Sequence, residues 1–127
     1  MPNGGIYLVT LKNAEPISVN ADRPKIAKNC VFVTKENCKL GKCKTFSARR
    51  RDYERTFGAK NVHFAPILAL AEPASAERLI KQRLIAFRIR GKSGRLTEWL
   101  EGITPDEVKN IVFEVTTQLG NISSKTY

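Results

Sequence analysis

Arg49, Arg50 and Arg51 form an unbroken basic run, and Tyr53 follows Arg49 by one helical turn. A guanidinium is permanently charged and can donate two parallel hydrogen bonds to one phosphate. Glu77 carries a hard carboxylate oxygen of the kind Mg2+ takes one or two at a time while keeping waters. Tyr53 and Lys39 offer a hydroxyl and an amine that could position or activate a water, and the lone histidine, His63, could join them. Phosphodiester hydrolysis asks for a charge clamp, a metal ligand and a base for water. Each of these residues also has a plain structural reading. A solvated helix face explains an arginine run. Glu77 stands four residues before Lys81, the spacing of an exposed helical ion pair. Tyr53 belongs to an apolar stripe, and an isolated strand histidine is usually structural.

Charge narrows the choice of partner. The 127-residue chain carries 22 Lys+Arg against 12 Asp+Glu, a net charge of +10. A domain this basic usually meets a polyanion. The charge is also clustered: residues 78–95 hold seven Lys/Arg and no acid, whereas residues 96–114 hold five acids and one lysine. Such clustering favours nucleic acid over diffuse solubility charge. No apolar run approaches the roughly 18 residues of a membrane span, and the first residues lack the pattern of a signal peptide, so a cytoplasmic setting with no membrane partner is expected. Cys30, Cys38 and Cys43 are an odd set with spacings unlike a zinc knuckle, and are expected to be reduced, half-buried strand residues.

The elements that must position these groups are legible in part. Ile6–Leu11 reads as a short strand, and residues 12–28 as a loop or arm. Cys30–Thr34 and Cys38–Gly41 read as two strands joined by Lys35-Glu36-Asn37, a β-hairpin closed by Gly41. Thr45 can cap a helix whose stripe is Phe46, Tyr53 and Phe57, with Gly58 ending it. Val62–Leu70 reads as a third strand, with Pro66 marking an edge or bulge. Pro73 opens a second helix through Leu84 and Phe87, Gly91–Gly94 is a basic loop, and Thr104-Pro105-Asp106-Glu107 is a capping box starting a third helix that ends at Gly120. The expected fold is α+β: a small antiparallel three-stranded sheet flanked by helices, with an extra N-terminal strand or arm. The expected divisions are 1–28 as the arm, 29–120 as the main domain and 121–127 as a frayed tail.

In this order, the stretch from Asn29 to Trp99 resembles the GIY-YIG nuclease superfamily, in particular its small phage-type branch. Asn29–Thr34 sits where the first motif belongs, and Lys39-Leu40-Gly41 where YIG belongs. Arg49 follows Gly41 by eight residues, like the family's catalytic arginine. Glu77 in Ala76-Glu77-Arg78-Leu79-Ile80 matches its metal-binding glutamate, and Arg88 to Trp99 looks like its basic loop before an acidic-aromatic pair, Glu98-Trp99. This register places Val31 and Lys39 at the two motif tyrosines. A literal Gly5-Ile6-Tyr7 lies 36 residues before Gly41, longer than a hairpin connection, and reads as chance or an arm strand rather than as a motif with a large insertion.

The resemblance implies a metal-dependent DNA endonuclease. Arg49 would stabilise developing charge, Glu77 would hold one Mg2+ or Mn2+, and Tyr53 and Lys39 would serve the attacking water. Products would carry 5′-phosphate and 3′-hydroxyl ends. Lys42, Lys44, Arg50, Arg51, Arg78, Arg88, Arg90, Lys92 and Arg95 would track the DNA backbone, which gives affinity without sequence readout. No small-molecule cofactor is implied, and a homodimer could cut both strands. Two rival classes stand beside this reading: a catalytically inactive nucleic-acid-binding module on the same scaffold, and a basic RNA-binding domain.

Overall fold

The computed structural model describes residues 2–20, 30–119 and 125–126. Its centre is the strand β1 (Gly5–Leu11). Nearly every residue in this run is apolar, so neither side of the strand suits water, and it is buried on both. Ile6 and Leu8 enter one core cluster, and Tyr7, Val9 and Leu11 enter another. The remaining strands are β2 (Ile17–Asn20), β3 (Cys30–Val33), β4 (Cys38–Cys43), β5 (Val62–Ala69), β6 (Arg88–Arg90), β7 (Leu96–Leu100) and β8 (Lys125–Thr126). The main sheet runs β6-β7-β4-β1-β5-β8, and β2 pairs only with β3 in a separate two-stranded sheet. All strand pairings among the described residues are antiparallel.

The fold is α+β, as expected, but its sheets differ from the expected three strands. The strands β3 and β4 form, with a turn between them, yet they do not pair as a hairpin. Instead β4 pairs with β1, and β3 with β2. The segment read as an arm therefore supplies the middle strand of the main sheet. Gly41 does not close a turn; it lies inside β4, directly opposite Tyr7. A Cβ at that glycine would stand 2.3 Å from the Tyr7 hydroxyl, so the pairing requires a residue without a side chain. Pro66 does mark a bulge: Ile6 pairs with Leu68 but Tyr7 with Pro66. Of the tail, residues 125–126 pair with β5; residues 120–124 and 127, like 21–29 with Asn29, lie outside the described residues.

Three helices cover the sheet: α1 (Phe46–Phe57), α2 (Ala74–Arg83) and α3 (Pro105–Gln118). Their starts and stops follow local chemistry. Gly58 ends α1 at φ 89°, and its N–H donates to the Glu54 carbonyl. The second helix stops earlier than its apolar spacing suggests, passing into a 3-10 turn over Ile85–Phe87. At α3 the capping box forms: the Glu107 N–H donates to Thr104 Oγ1, and the Thr104 N–H to Glu107 Oε1. Ala76 and Ile80 of α2 and Val108, Val112 and Val115 of α3 pack with Ile6, Leu8 and Leu40 on one side of the sheet. Phe46 and Tyr53 of α1, together with Val19, Val31 and Val33 of the small sheet, pack with Tyr7, Val9 and Trp99 on the other.

Candidate active site

The site grows from Tyr7. Its side chain is 1% exposed, stacked on Phe64 with ring centroids 4.7 Å apart. Its hydroxyl lies 2.9 Å from the Tyr53 hydroxyl, and Arg49 Nη1 donates to it at 3.3 Å. Arg49 and Tyr53 stand one turn apart on α1, so a single helix aims both at the same strand residue. Burial, then the nearness of Tyr53, pushes the Tyr7 hydroxyl far above the usual phenol range, and burial first pushes Tyr53 up to about 12. Both are therefore neutral hydroxyls near pH 7. Burial works against the Arg49 charge but is outweighed by Tyr7, then Tyr53 and Cys43, and the group stays cationic.

A second cluster lies around the edge of β4. Lys39 Nζ sits 4.9 Å above the Tyr53 ring and 3.9 Å from Glu98. Glu98 accepts a 2.7 Å hydrogen bond from Lys81, whose ammonium is also 3.4 Å from Glu77 Oε1. Glu77, 8% exposed, is flanked a second time by Lys42 at 3.8 Å. A chain of alternating charge thus runs Lys39, Glu98, Lys81, Glu77, Lys42.

Arg49 and Glu77 stand on helices that cover opposite faces of the sheet, and no direct contact joins them. What stands near both is Lys42, at the edge of β4. Among the described residues, the ladder between β4 and β7 holds only Cys38 and Lys39, so the rest of this edge is uncovered by β7. Lys42 connects the two sides: it reaches Glu77 and also lines, with Arg49, Lys44, Thr45 and Asp52, a cavity of about 800 Å³. The cavity opens between the starts of α1 and α2, beside the end of β4. Its lining carries Lys42, Lys44 and Arg49 with Asp52 and Glu72, a small excess of positive charge.

One carboxylate meets the lower end of what Mg2+ takes from a protein, the remaining positions going to water and substrate phosphate. Glu77 satisfies that minimum, against two ammonium groups within 4 Å of its oxygen. Among the described residues no group of three or more His, Cys, Asp or Glu side chains converges. No disulfide joins the cysteines; Cys38 and Cys43 are buried, and burial pushes the Cys38 thiol up to about 11.

Of the residues expected from sequence, Arg49, Tyr53 and Lys39 gather around one ring system, and Glu77 stands at the other end of the charge chain. The helical ion pair Glu77–Lys81 is also present. Val31 is not at the site: it packs in the core under the small sheet, 6% exposed, across from Val19. Tyr7 takes its place, so the literal Gly5-Ile6-Tyr7 is the segment beside Lys39-Leu40-Gly41. His63 is exposed on β5, opposite Thr10, and alternates away from Val62 and Phe64, which pack with Tyr7. Arg50 lies against Phe64, its Cζ 5.7 Å from the ring centroid. Arg88 donates to the Thr97 carbonyl at 2.8 Å, while Lys42, Lys44, Arg51, Arg78, Arg90, Lys92 and Arg95 are exposed. Glu98 and Lys81 join the site without having been singled out for it; their signal was the opposite charge each carries beside Lys39 and Glu77.

The chain matches no protein-family model, no curated protein and no solved structure. No helix among the described residues is long and apolar enough to cross a membrane.

Proposed function

We propose that the chain is a metal-dependent endonuclease of the GIY-YIG type that hydrolyses DNA with little sequence preference. The observation that carries this reading is the convergence of Arg49, Tyr53 and Tyr7 opposite Gly41. Three side chains and a glycine, from two strands and a helix, meet there, and Arg49 among them also lines a cavity with Lys42 and Lys44.

In this reading the phosphate enters beside Arg49, with Lys42 and Lys44 holding its neighbours. Arg49 supplies a charge that never titrates and can grip two phosphate oxygens. The Tyr7 hydroxyl accepts from Arg49 and shares a hydrogen bond with Tyr53, which fixes the guanidinium before substrate arrives. Tyr7 and Tyr53, buried and hydrogen-bonded to each other, position Arg49, and Lys39 over the Tyr53 ring places a second positive charge beside them. Glu77 would hold the divalent ion, which when bound supplies Lewis-acid stabilisation of the phosphoryl oxygens. Lys81 is drawn toward Glu98, where its hydrogen bond is 2.7 Å, and this lowers its competition for Glu77.

A second reading, an inactive nucleic-acid-binding module, is favoured by one observation: Glu77 already faces two lysines. Plasmid nicking with Mg2+ or Mn2+ separates the two. The nuclease reading expects nicking by the wild type, lost in Glu77→Ala while DNA binding persists. Clean wild type that binds DNA and nicks nothing with any divalent ion would establish the module instead. A preference for structured RNA over duplex DNA at matched salt would favour an RNA-binding domain.

A further inference from the structure

The small sheet and the tip of the β6–β7 hairpin carry features that the cleft does not use. In β3, Val31 and Val33 face the core, so Phe32 must face away, and it is 68% exposed. Its partner across the ladder is Ser18, small and exposed, which leaves the ring face open. The hairpin tip docks onto the same strand: the Lys92 N–H donates to the Cys30 carbonyl at 2.9 Å. Lys92 and Arg95 project from that turn, and Arg90 stands beside it, bonded to the Gly94 carbonyl. Among the described residues none of these three cations has a carboxylate partner.

An exposed aromatic ring on a rigid strand beside unneutralised cations suits a ligand with both a flat apolar face and dense negative charge. Single-stranded nucleic acid has both, because its bases have lost their stacking partners. A duplex offers the charge but hides the base faces. One ring is too little apolar surface to anchor an interfacial segment in a membrane.

We propose that Phe32 and the turn carrying Arg90, Lys92 and Arg95 form a subsite for an unpaired nucleotide. The ring stacks a base, and the cations hold the flanking phosphates. This extends the nucleic-acid reading above by assigning a substrate class, DNA with an unpaired segment, and it does not depend on cleavage.

The test is a binding titration of the full chain with a single-stranded oligonucleotide and a blunt duplex of equal length. Phe32→Ala is expected to weaken single-strand binding about tenfold and duplex binding by less than about twofold, given the usual contribution of one stacked base. Phe32→Trp is expected to restore the affinity and to add a surface fluorophore quenched by the single strand; the native Trp99, 2% exposed, supplies little of that signal. Phe32→Ala binding the single strand like wild type, losing both ligands equally, or a Phe32→Trp signal unmoved by DNA would each overturn the subsite. So would a Phe32-dependent attachment to anionic lipid vesicles in a chain that ignores single strands. Cleavage is read separately. Plasmid nicking by a chain whose single-strand binding ignores Phe32 removes the subsite and leaves the nuclease; Phe32-dependent strand binding without nicking removes the nuclease and leaves the subsite.

Discussion

Gly41→Ala puts the new methyl group into the side chain on which the site is built. Its Cβ would lie 2.3 Å from the Tyr7 hydroxyl oxygen, 2.4 Å from Cζ and 3.0 Å from Cε1. Ordinary carbon contacts are about 3.5–4.0 Å, so the ring must retreat by about an ångström or more. It has little room, with Phe64 stacked on it and Tyr53 edge-on at 5.7 Å. Overpacking of this kind costs about 1–3 kcal/mol. Displacing the hydroxyl also strips it of Tyr53 and Arg49, adding about 1–2 kcal/mol for a buried polar group left poorly partnered. A combined loss of ~3 kcal/mol lowers the melting temperature of a chain this size by roughly 10 °C. Calorimetry reads the stability, and nicking assays well below the melting point read activity, which should fall together with the loss of Arg49 positioning. A Gly41→Ala variant that melts within about 1 °C of wild type, less than ~0.5 kcal/mol for a domain this size, would refute the close packing of Gly41 against Tyr7.

Three further outcomes are expected. Burial raises both tyrosine pKa values, so the fold favours their protonated forms. That contribution is complete below the unfolded value of 10.0 and is lost as pH climbs through the Tyr53 value of about 12. Urea midpoints should therefore fall between about pH 10 and pH 12, and less steeply in Tyr53→Phe. Glu98→Gln leaves Lys81 only Glu77 as a carboxylate partner, so Mn2+ binding measured by calorimetry should weaken, and Lys81→Met should erase that difference; an equal loss in the Lys81→Met background would make Glu98 a ligand instead. Thr104→Ala removes the hydroxyl half of the α3 capping box and should cost about 1 kcal/mol in urea unfolding.

How much of this was legible in the sequence follows from the range of each signal. Helices announced themselves locally, through the Phe46, Tyr53, Phe57 stripe, the glycine after α1 and the capping box at Thr104. Strands β1, β3 and β5 were visible in their β-branched and aromatic residues, and β4 only through the turn that precedes it. Their pairing was not, because it is settled by which faces must be buried, and β1 needs neighbours on both sides. The pairing of β4 with β1, across a connection that contains β2 and β3, sets Tyr7 rather than Val31 beside Lys39-Leu40-Gly41. Short β6 and β7 were hidden because a three-residue strand flanking Gly-Lys-Ser-Gly reads as loop. Lys39 and Arg49 were found through the resemblance to a family's motif order, and Tyr53 from its place one helical turn after Arg49; the Lys81–Glu98 contact could not be found, since it forms only where β7 lies beside α2.

In the proposed nuclease the arginine of α1 and the carboxylate of α2, approaching from opposite faces, serve one phosphate at the edge of β4. Crystals soaked with Mn2+ and a short DNA strand test this arrangement most directly. The expected result is an anomalous peak about 2–2.5 Å from a Glu77 oxygen, with a DNA phosphate lying between that ion and the Arg49 guanidinium. A peak on other side chains, or a phosphate bound by Arg49 while Glu77 stays closed against Lys42 and Lys81, would contradict it.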